Sequence, residues 1–219
     1  MTGDQRERFR SGLRAGLGFG AAAFVVGVSF GVVAEPVMGS VAPIVMSAVV
    51  FAGASQFGAT SVLASGGSAL TAIATGAMLN ARFLPMGVAA ASALRGSRLQ
   101  RALEGQTIVD ASWALAARGE GGFDREALLG GTLPQYPAWV LGTVVGVVTG
   151  DALGDPDAFG FDAIFPAFFL GLLAAELRRP HAVGAVLIGG AIALALTPIL
   201  PPGLPVLLAS GGALVGLRR

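Results

Sequence analysis

The chain has 219 residues, 54% of them apolar and 12% charged, with a formal net charge of +1. An ordinary soluble domain is about 25% charged, and a charge balance this close to zero gives no reason to expect nucleic acid. The absence of cysteine excludes disulfides and thiolate chemistry, and the absence of lysine excludes a P-loop lysine, a Schiff base and a Ser–Lys dyad.

Uncharged runs extend over Ala15–Ala34, Pro36–Ala81 and Phe83–Leu94. A helix needs about 20 such residues to cross about 30 Å of hydrocarbon, and a soluble core does not need them uninterrupted. The runs lack the period-two alternation of a β-barrel. They are rich in Gly and Ala, which suits helices packed through small faces. The expected fold is therefore all-α: a polytopic transmembrane helical bundle, forming a single membrane transport domain over residues 1–219.

The N-terminus carries Arg6, Arg8, Arg10 and Arg14 ahead of an apolar run. The run has full spanning length and no cleavage-like boundary, so Arg14–Ala34 is expected to be an uncleaved first span. Next come Val41–Ser65 and Ala69–Leu94, separated by Glu35-Pro36 and Gly66-Gly67. These two spans hold Ser55, Gln56, Asn80 and Arg82 where a simple anchor would carry leucine or valine. An unpaired amide or guanidinium in hydrocarbon costs about several kcal/mol, so such groups usually face a bundle interior or a wet cavity and mark a solute path. On this ground the chain reads as a transporter.

Residues 97–104 are amphipathic, with Leu99, Ala102 and Leu103 opposed to Arg98, Arg101 and Glu104. Gln106–Ala117 is apolar apart from Asp110 and a few uncharged polar groups, and is expected at the membrane interface with Trp113 at headgroup level or dipping partly inward. Arg118–Arg125, rich in glycine, reads as an exposed turn. The later spans are Leu133–Gly150, Phe161–Leu177, Ala182–Thr197 and Leu204–Leu217. Asp155-Pro156, Arg179-Pro180 and Pro201-Pro202-Gly203 break them, and the reading gives 7–8 membrane segments in all. His181 and the carboxylates Glu35 and Glu176 fall at span ends, at headgroup level.

LNARFLPMGVAAAS and LTPILPPGLPVLLAS both place Pro and Gly two apart and close an apolar run with Ala-Ser. This suggests an internal repeat, residues 12–94 against 132–217, joined by the amphipathic stretch 95–131. Interrupted segments in corresponding halves point to a solute site. The plainer alternative is that the prolines only end two helices. Under the positive-inside rule the Arg clusters 6–14, 95–101, 178–179 and 218–219 share the cytoplasmic side. Residues 15–94 then make two or four crossings, through a re-entrant segment or through division at Asn80–Pro85.

The candidate substrate-binding residues are Ser55, Gln56, Asn80 and Arg82. Gln56 offers donors and an acceptor beside the small residues Gly53 and Ala54, and a local unwinding at Ala52–Phe57 would let its amide and the backbone dipoles hold a polar substrate head. Arg82 suits a carboxylate bidentately and stays charged at any working pH. The opposing readings are interhelical glue for Gln56 and, for Arg82, snorkelling or pairing with Glu35 or Asp110. Asp110 is the candidate proton carrier, because Ile108, Val109 and Trp113 adjoin it and apolar surroundings favour protonation; its alternative is a solvated interfacial carboxylate. Metal and other cofactors are not expected.

At FAGASQF (51–57), LNARFLPMG (79–87), VDASWAL (109–115) and LPPGLPVLLA (200–209) the chain resembles the AzlC family, large subunits of bacterial branched-chain amino acid exporters. Asp110-Ala111 stands where many members have Asp-Glu, and Arg82-Phe83 where some have Arg-His. The resemblance implies export of leucine, isoleucine or valine from the bacterial inner membrane, as a multi-pass subunit partnered by a small AzlD-type membrane protein. Proton- or potential-coupled transport is the expectation. The alternatives are a permease served by a separate ATPase, since this chain has no Walker A motif, or a non-transporting scaffold for the small partner. No nucleophile–base pair suggests an enzyme.

Overall fold

The computed structural model describes residues 2–118, 122–153, 167, 170–171, 173–174, 177–178, 182–200, 204–209 and 212. The described residues are helical apart from turns and an isolated bridge between Ala117 and Phe123. The helices, in order, are α1 (Gly3–Met38), α2 (Val41–Val49), α3 (Gly53–Ala64), α4 (Ala69–Asn80), α5 (Phe83–Ala90), α6 (Arg98–Gly105), α7 (Asp110–Ala116), α8 (Arg125–Leu153), α9 (Ala182–Leu196) and α10 (Leu204–Ala209). Most of the span expected at Phe161–Leu177, together with His181, Glu176 and the Pro201-Pro202-Gly203 breaker, lies outside the described residues, as does the end of the second repeat.

Contacts group the chain into two units. The first comprises Met1–Ala52 and Phe83–Phe161; the second comprises Gly53–Arg82 and Asp162–Arg219. The chain thus passes between units at Ala52/Gly53 and Arg82/Phe83, inside the first two motif stretches.

The first unit is built on α1 and α8. Helix α1 starts earlier than the apolar run alone suggests, because Thr2 and Gln5 form a capping box that satisfies its first free N–H groups. It continues through Pro36 to Gly39, whose φ of 76° no β-carbon would tolerate well, and its 36 residues span about 54 Å. Among the described residues it is the helix long and apolar enough to cross a membrane by length and composition.

Gly12, Gly16, Gly20, Ala23 and Gly27 recur along one buried face of α1. A β-carbon on Gly12 would lie 2.6 Å from the Ala127 carbonyl oxygen, and one on Gly20 would lie 3.2 Å from that of Pro134. Farther along, Gly27 faces Trp139 and Thr143, and Gly31 faces Thr143 and Gly146. Partner numbers rise together, so α1 and α8 run in the same direction. Gly142 and Gly146 of α8 return the contact against Phe24 and Val28. Backbones meeting this closely gain dispersion contact and exclude any larger residue.

The span expected at Val41–Ser65 is interrupted: α2 ends at Val49, α3 begins at Gly53, and Phe51 between them has φ of 44°. The span expected at Ala69–Leu94 divides at Ala81-Arg82. The 9, 12, 12 and 8 residues of α2 to α5 correspond to about 14, 18, 18 and 12 Å, each well short of a bilayer core.

In the second unit α3 and α4 form an antiparallel hairpin. Gly66 (φ 80°) makes the turn and Ser68 caps α4 by accepting from the Thr71 N–H at 3.1 Å. Gly58 lies under Leu79, and a β-carbon on Gly76 would lie 2.8 Å from Ser55 Oγ. Helix α9 packs through Gly189 against the Ala209 carbonyl of α10.

Candidate functional site

Ser55, Gln56, Asn80 and Arg82 all belong to the second unit, at the open end of the α3–α4 hairpin. Ser55 and Gln56 fall in the first turn of α3, which starts two residues after the strained Phe51. Both are buried. Ser55 donates its hydroxyl proton to the Gly76 carbonyl at 3.0 Å, so it ties the helices together and retains only acceptor capacity toward a ligand. The Gln56 carbonyl accepts from the Thr60 hydroxyl one turn later at 2.9 Å.

Asn80 ends α4. Its side-chain oxygen is enclosed by protein and has no hydrogen-bond partner. A buried acceptor left in that state costs about 1–3 kcal/mol, so a ligand that donates to it recovers the deficit. Arg82 is half-buried and donates from Nη1 to the Leu79 carbonyl at a long 3.5 Å, in the final turn of α4 where carbonyls lack helical partners.

Asp110 belongs to the first unit. It is half-buried at the first position of α7, where a negative charge suits the exposed N–H groups of a helix start. Trp113 on the same helix donates its indole N–H to the Met86 carbonyl at 3.2 Å. That bond anchors α7 to α5 around a core of Ala90, Ile108, Ala116 and Leu128.

Reasoning from the sequence missed a polar system buried in this first unit. Ser112 and Thr132 hydroxyl oxygens lie 2.7 Å apart, and Gln135 donates from Nε2 to Ser112 at 3.0 Å and to the Gly131 carbonyl at 2.7 Å. Thr132 has a single hydroxyl proton, and Ser112 Oγ and the Thr107 and Leu128 carbonyls, the last two at 2.9 and 3.0 Å, are all placed to accept it. Thr132 and Gln135 occur at (i, i+3) spacing between glycines and prolines, and that spacing is the one signal the sequence held.

Beside the cluster an open, mostly apolar cavity of about 710 Å³ is lined by Phe9, Ala48, Val49, Phe51, Thr132 and Tyr136, among others. Tyr136 packs edge-on against Phe51 at 5.1 Å and donates to the Ala48 carbonyl at 2.7 Å, which braces the last turn of α2 just before the break.

The face where α1 and α8 begin is strongly ionic. Asp124 precedes α8, accepts from the Ala127 N–H at 3.2 Å, and meets Arg118 and, at 3.6 Å, Arg8 of α1. Burial alone would raise its carboxyl, but the Ala127 N–H and the Arg118 and Arg8 charges outweigh that and hold it below the usual range. Glu104 is held low chiefly by its side-chain hydrogen bonds from Arg125, whose Nε donates to it at 2.9 Å while Nη2 reaches the second oxygen. The same bonds raise Arg125 further. Among the described residues no cluster of metal-ligating side chains is present.

Comparison with known proteins supports a membrane setting. Residues 19–153 match the family model described as AzlC protein. The chain is 29% identical over 170 residues to the inner membrane protein YgaZ of Escherichia coli, covering 70% of this chain and 67% of that protein. It is 33% identical over 190 residues to an uncharacterized membrane protein of Archaeoglobus fulgidus, covering 85% and 84% of the two chains. No solved structure matches. The chain is a membrane protein with a transport-related role, and it belongs to the AzlC family.

Proposed function

We propose that this chain is the solute-carrying subunit of a bacterial inner-membrane exporter of leucine, isoleucine and valine, working with a small AzlD-type membrane protein. The observation that carries this reading is the end of the α3–α4 hairpin, where Asn80 Oδ1 is enclosed without a donor. An amino acid's ammonium supplies that donor, and carboxylate recognition falls to Arg82 and the positive dipole end of α3. The apolar side chain packs among the small residues around Gly53 and Ala54.

The half-length helices α2 to α5 support this reading, since interrupted helices in a membrane are tolerated where they line a cavity or are covered by protein. The common direction of α1 and α8 fits an even number of crossings between their starts. The Arg8–Asp124 contact fits N-terminal and central arginines on one, cytoplasmic, side. In this scheme the chain has 7–8 membrane segments, Asp110 exchanges a proton as the site alternates, and transport runs on proton or membrane potential rather than ATP.

Labelled leucine counterflow in proteoliposomes, with and without the small partner, tests the proposal. Saturable exchange is expected with the pair. Folded protein that gives no exchange of leucine, isoleucine or valine in either condition overturns it. Collapse of an ATP-independent flux by a protonophore separates the coupling from an ATP-driven permease.

A further inference from the structure

We infer that the cavity of the first unit and the arginine stripe beside it together bind one anionic glycerophospholipid. The cavity, about 710 Å³, falls within the range of small-molecule sites but has an open side and largely apolar walls. Val49 is 69% exposed and Leu133 56% exposed on those walls, so in a membrane they face hydrocarbon. Polar groups gather at one edge, at Gln106, Thr107 and Thr132.

Next to this groove the start of α1 carries Arg6, Arg10 and Arg14 at four-residue spacing, lining a second concave surface of about 630 Å³ with Glu7 and Ser11. All three arginines are exposed. Among the described residues none of them pairs with a carboxylate, whereas neighbouring Arg8 pairs with Asp4 and Asp124.

Phe9 connects the two features. It lines the groove, and on a helix turning 100° per residue it lies about 60° from Arg6, 100° from Arg10 and 140° from Arg14. Arg6 and Arg10 therefore adjoin the groove side of this helix end, and Arg14 turns away from it toward the far side of the stripe. Depth agrees with chemistry. Arg14 immediately precedes the apolar run Ala15–Ala34. Arg10 and Arg6 then lie about 6 and 12 Å farther along the axis, in or just beyond the headgroup layer and within about one Debye length of its phosphates. A phosphate matches the planar guanidinium fork, and an acyl chain matches the groove. A free amino acid is too short to reach from one to the other. A second protein's apolar helix would fill the groove and leave the cations without a partner.

Native mass spectrometry of the purified full chain tests this, with equimolar dioleoylphosphatidylglycerol and dioleoylphosphatidylcholine supplied in detergent. One phosphatidylglycerol is expected to be retained, at about fivefold or more over phosphatidylcholine, consistent with about 1 kcal/mol per basic residue near an anionic surface. Arg6→Gln, Arg10→Gln and Arg14→Gln combined should bring the ratio close to one, while the corresponding Lys set keeps it. Val49→Trp should lower retention of both lipids without changing their ratio. The combined Arg95→Gln, Arg98→Gln and Arg101→Gln protein should keep the wild-type preference. Equal retention of the two lipids by the wild type overturns the inference, as does a preference that survives the first Gln set or disappears equally in the second. If the first Gln set fails to fold, Arg6→Gln and Arg10→Gln alone must each lose part of the preference. None of these outcomes depends on what the protein transports.

Discussion

Ser47 of α2 and Thr143 of α8, 96 residues apart, share a hydrogen bond of 2.8 Å in fully buried surroundings. Either hydroxyl can donate, and Thr143 also lies 3.0 Å from the Trp139 carbonyl one turn earlier. When Thr143 donates to that carbonyl, Ser47 donates to Thr143 and no buried proton lacks an acceptor. The short α2 is thereby fastened to the α1–α8 pair just before the chain breaks at Phe51.

A double-mutant cycle measures that link. Ser47→Ala and Thr143→Val should each lower stability by about 1 kcal/mol, with a coupling of about 0.6 kcal/mol, the average for interhelical hydrogen bonds measured this way in membranes. Unfolding of the detergent-solubilised protein gives the values. A coupling of zero would mean that the two hydroxyls act independently.

The α1–α8 seam should reject an added carbon where the two backbones meet most closely. A β-carbon on Gly31 meets the Thr143 carbonyl and lies 2.7 Å from the Val147 nitrogen, both backbone atoms with no room to retreat. Gly31→Ala should therefore cost about 2–3 kcal/mol. Gly18, on the same helix, has nothing within 4 Å. Gly18→Ala should be neutral or slightly stabilising through helix propensity, by up to about 1 kcal/mol. Comparing melting temperatures of the two variants isolates the contact from the propensity.

Asn80 separates function from stability. Its unpartnered, enclosed oxygen costs the empty protein free energy. Asn80→Leu should leave the melting temperature unchanged or raise it, while leucine counterflow falls by about tenfold or more, the equivalent of about 1.4 kcal/mol of lost binding. A melting temperature that drops along with the flux would instead assign Asn80 a structural role.

The ion pairs at the start of α8 predict an acid limit. Glu104 and Asp124 both titrate below their ordinary values in the folded chain. Their contribution is therefore complete above the unfolded carboxylate pKa values near 4 and is lost as pH falls through the lower folded values. The melting temperature should be flat from about pH 7 to 5 and fall below about pH 4. Glu104→Gln should cost about 1–2 kcal/mol at neutral pH, because Arg125 loses a charged partner. It should also flatten the Glu104 part of the acid decline and leave that of Asp124. A decline that Glu104→Gln does not alter would assign the whole effect to other carboxylates.

Much of the helical layout was legible in the residues. Asn80-Ala81-Arg82 ahead of Pro85 announced a break, and the chain does leave helix at Ala81-Arg82. The amphipathic pattern over residues 97–104 announced α6, and the structure adds its cap, with Ser97 and Gln100 in a capping box. These features depend on local capping and backbone preference, which act within a few residues. The break at Phe51 was less legible, because an aromatic residue at φ 44° is held there by its surroundings, in part by Tyr136, and not by its own preference.

The sequence by itself determined the solvent this chain lives in, the helical class, and which polar residues enter apolar segments, because composition and hydrogen-bond satisfaction in hydrocarbon depend on residue type alone. Only the tertiary structure decided their neighbours. It set α1 parallel to α8 through facing glycines, gathered Ser112, Thr132 and Gln135 into one buried cluster, and committed Ser55 to the Gly76 carbonyl while Asn80 kept a free acceptor. Those pairings join residues far apart in sequence, and which small face meets which is a matter of shape fit between backbones, a property no single segment carries.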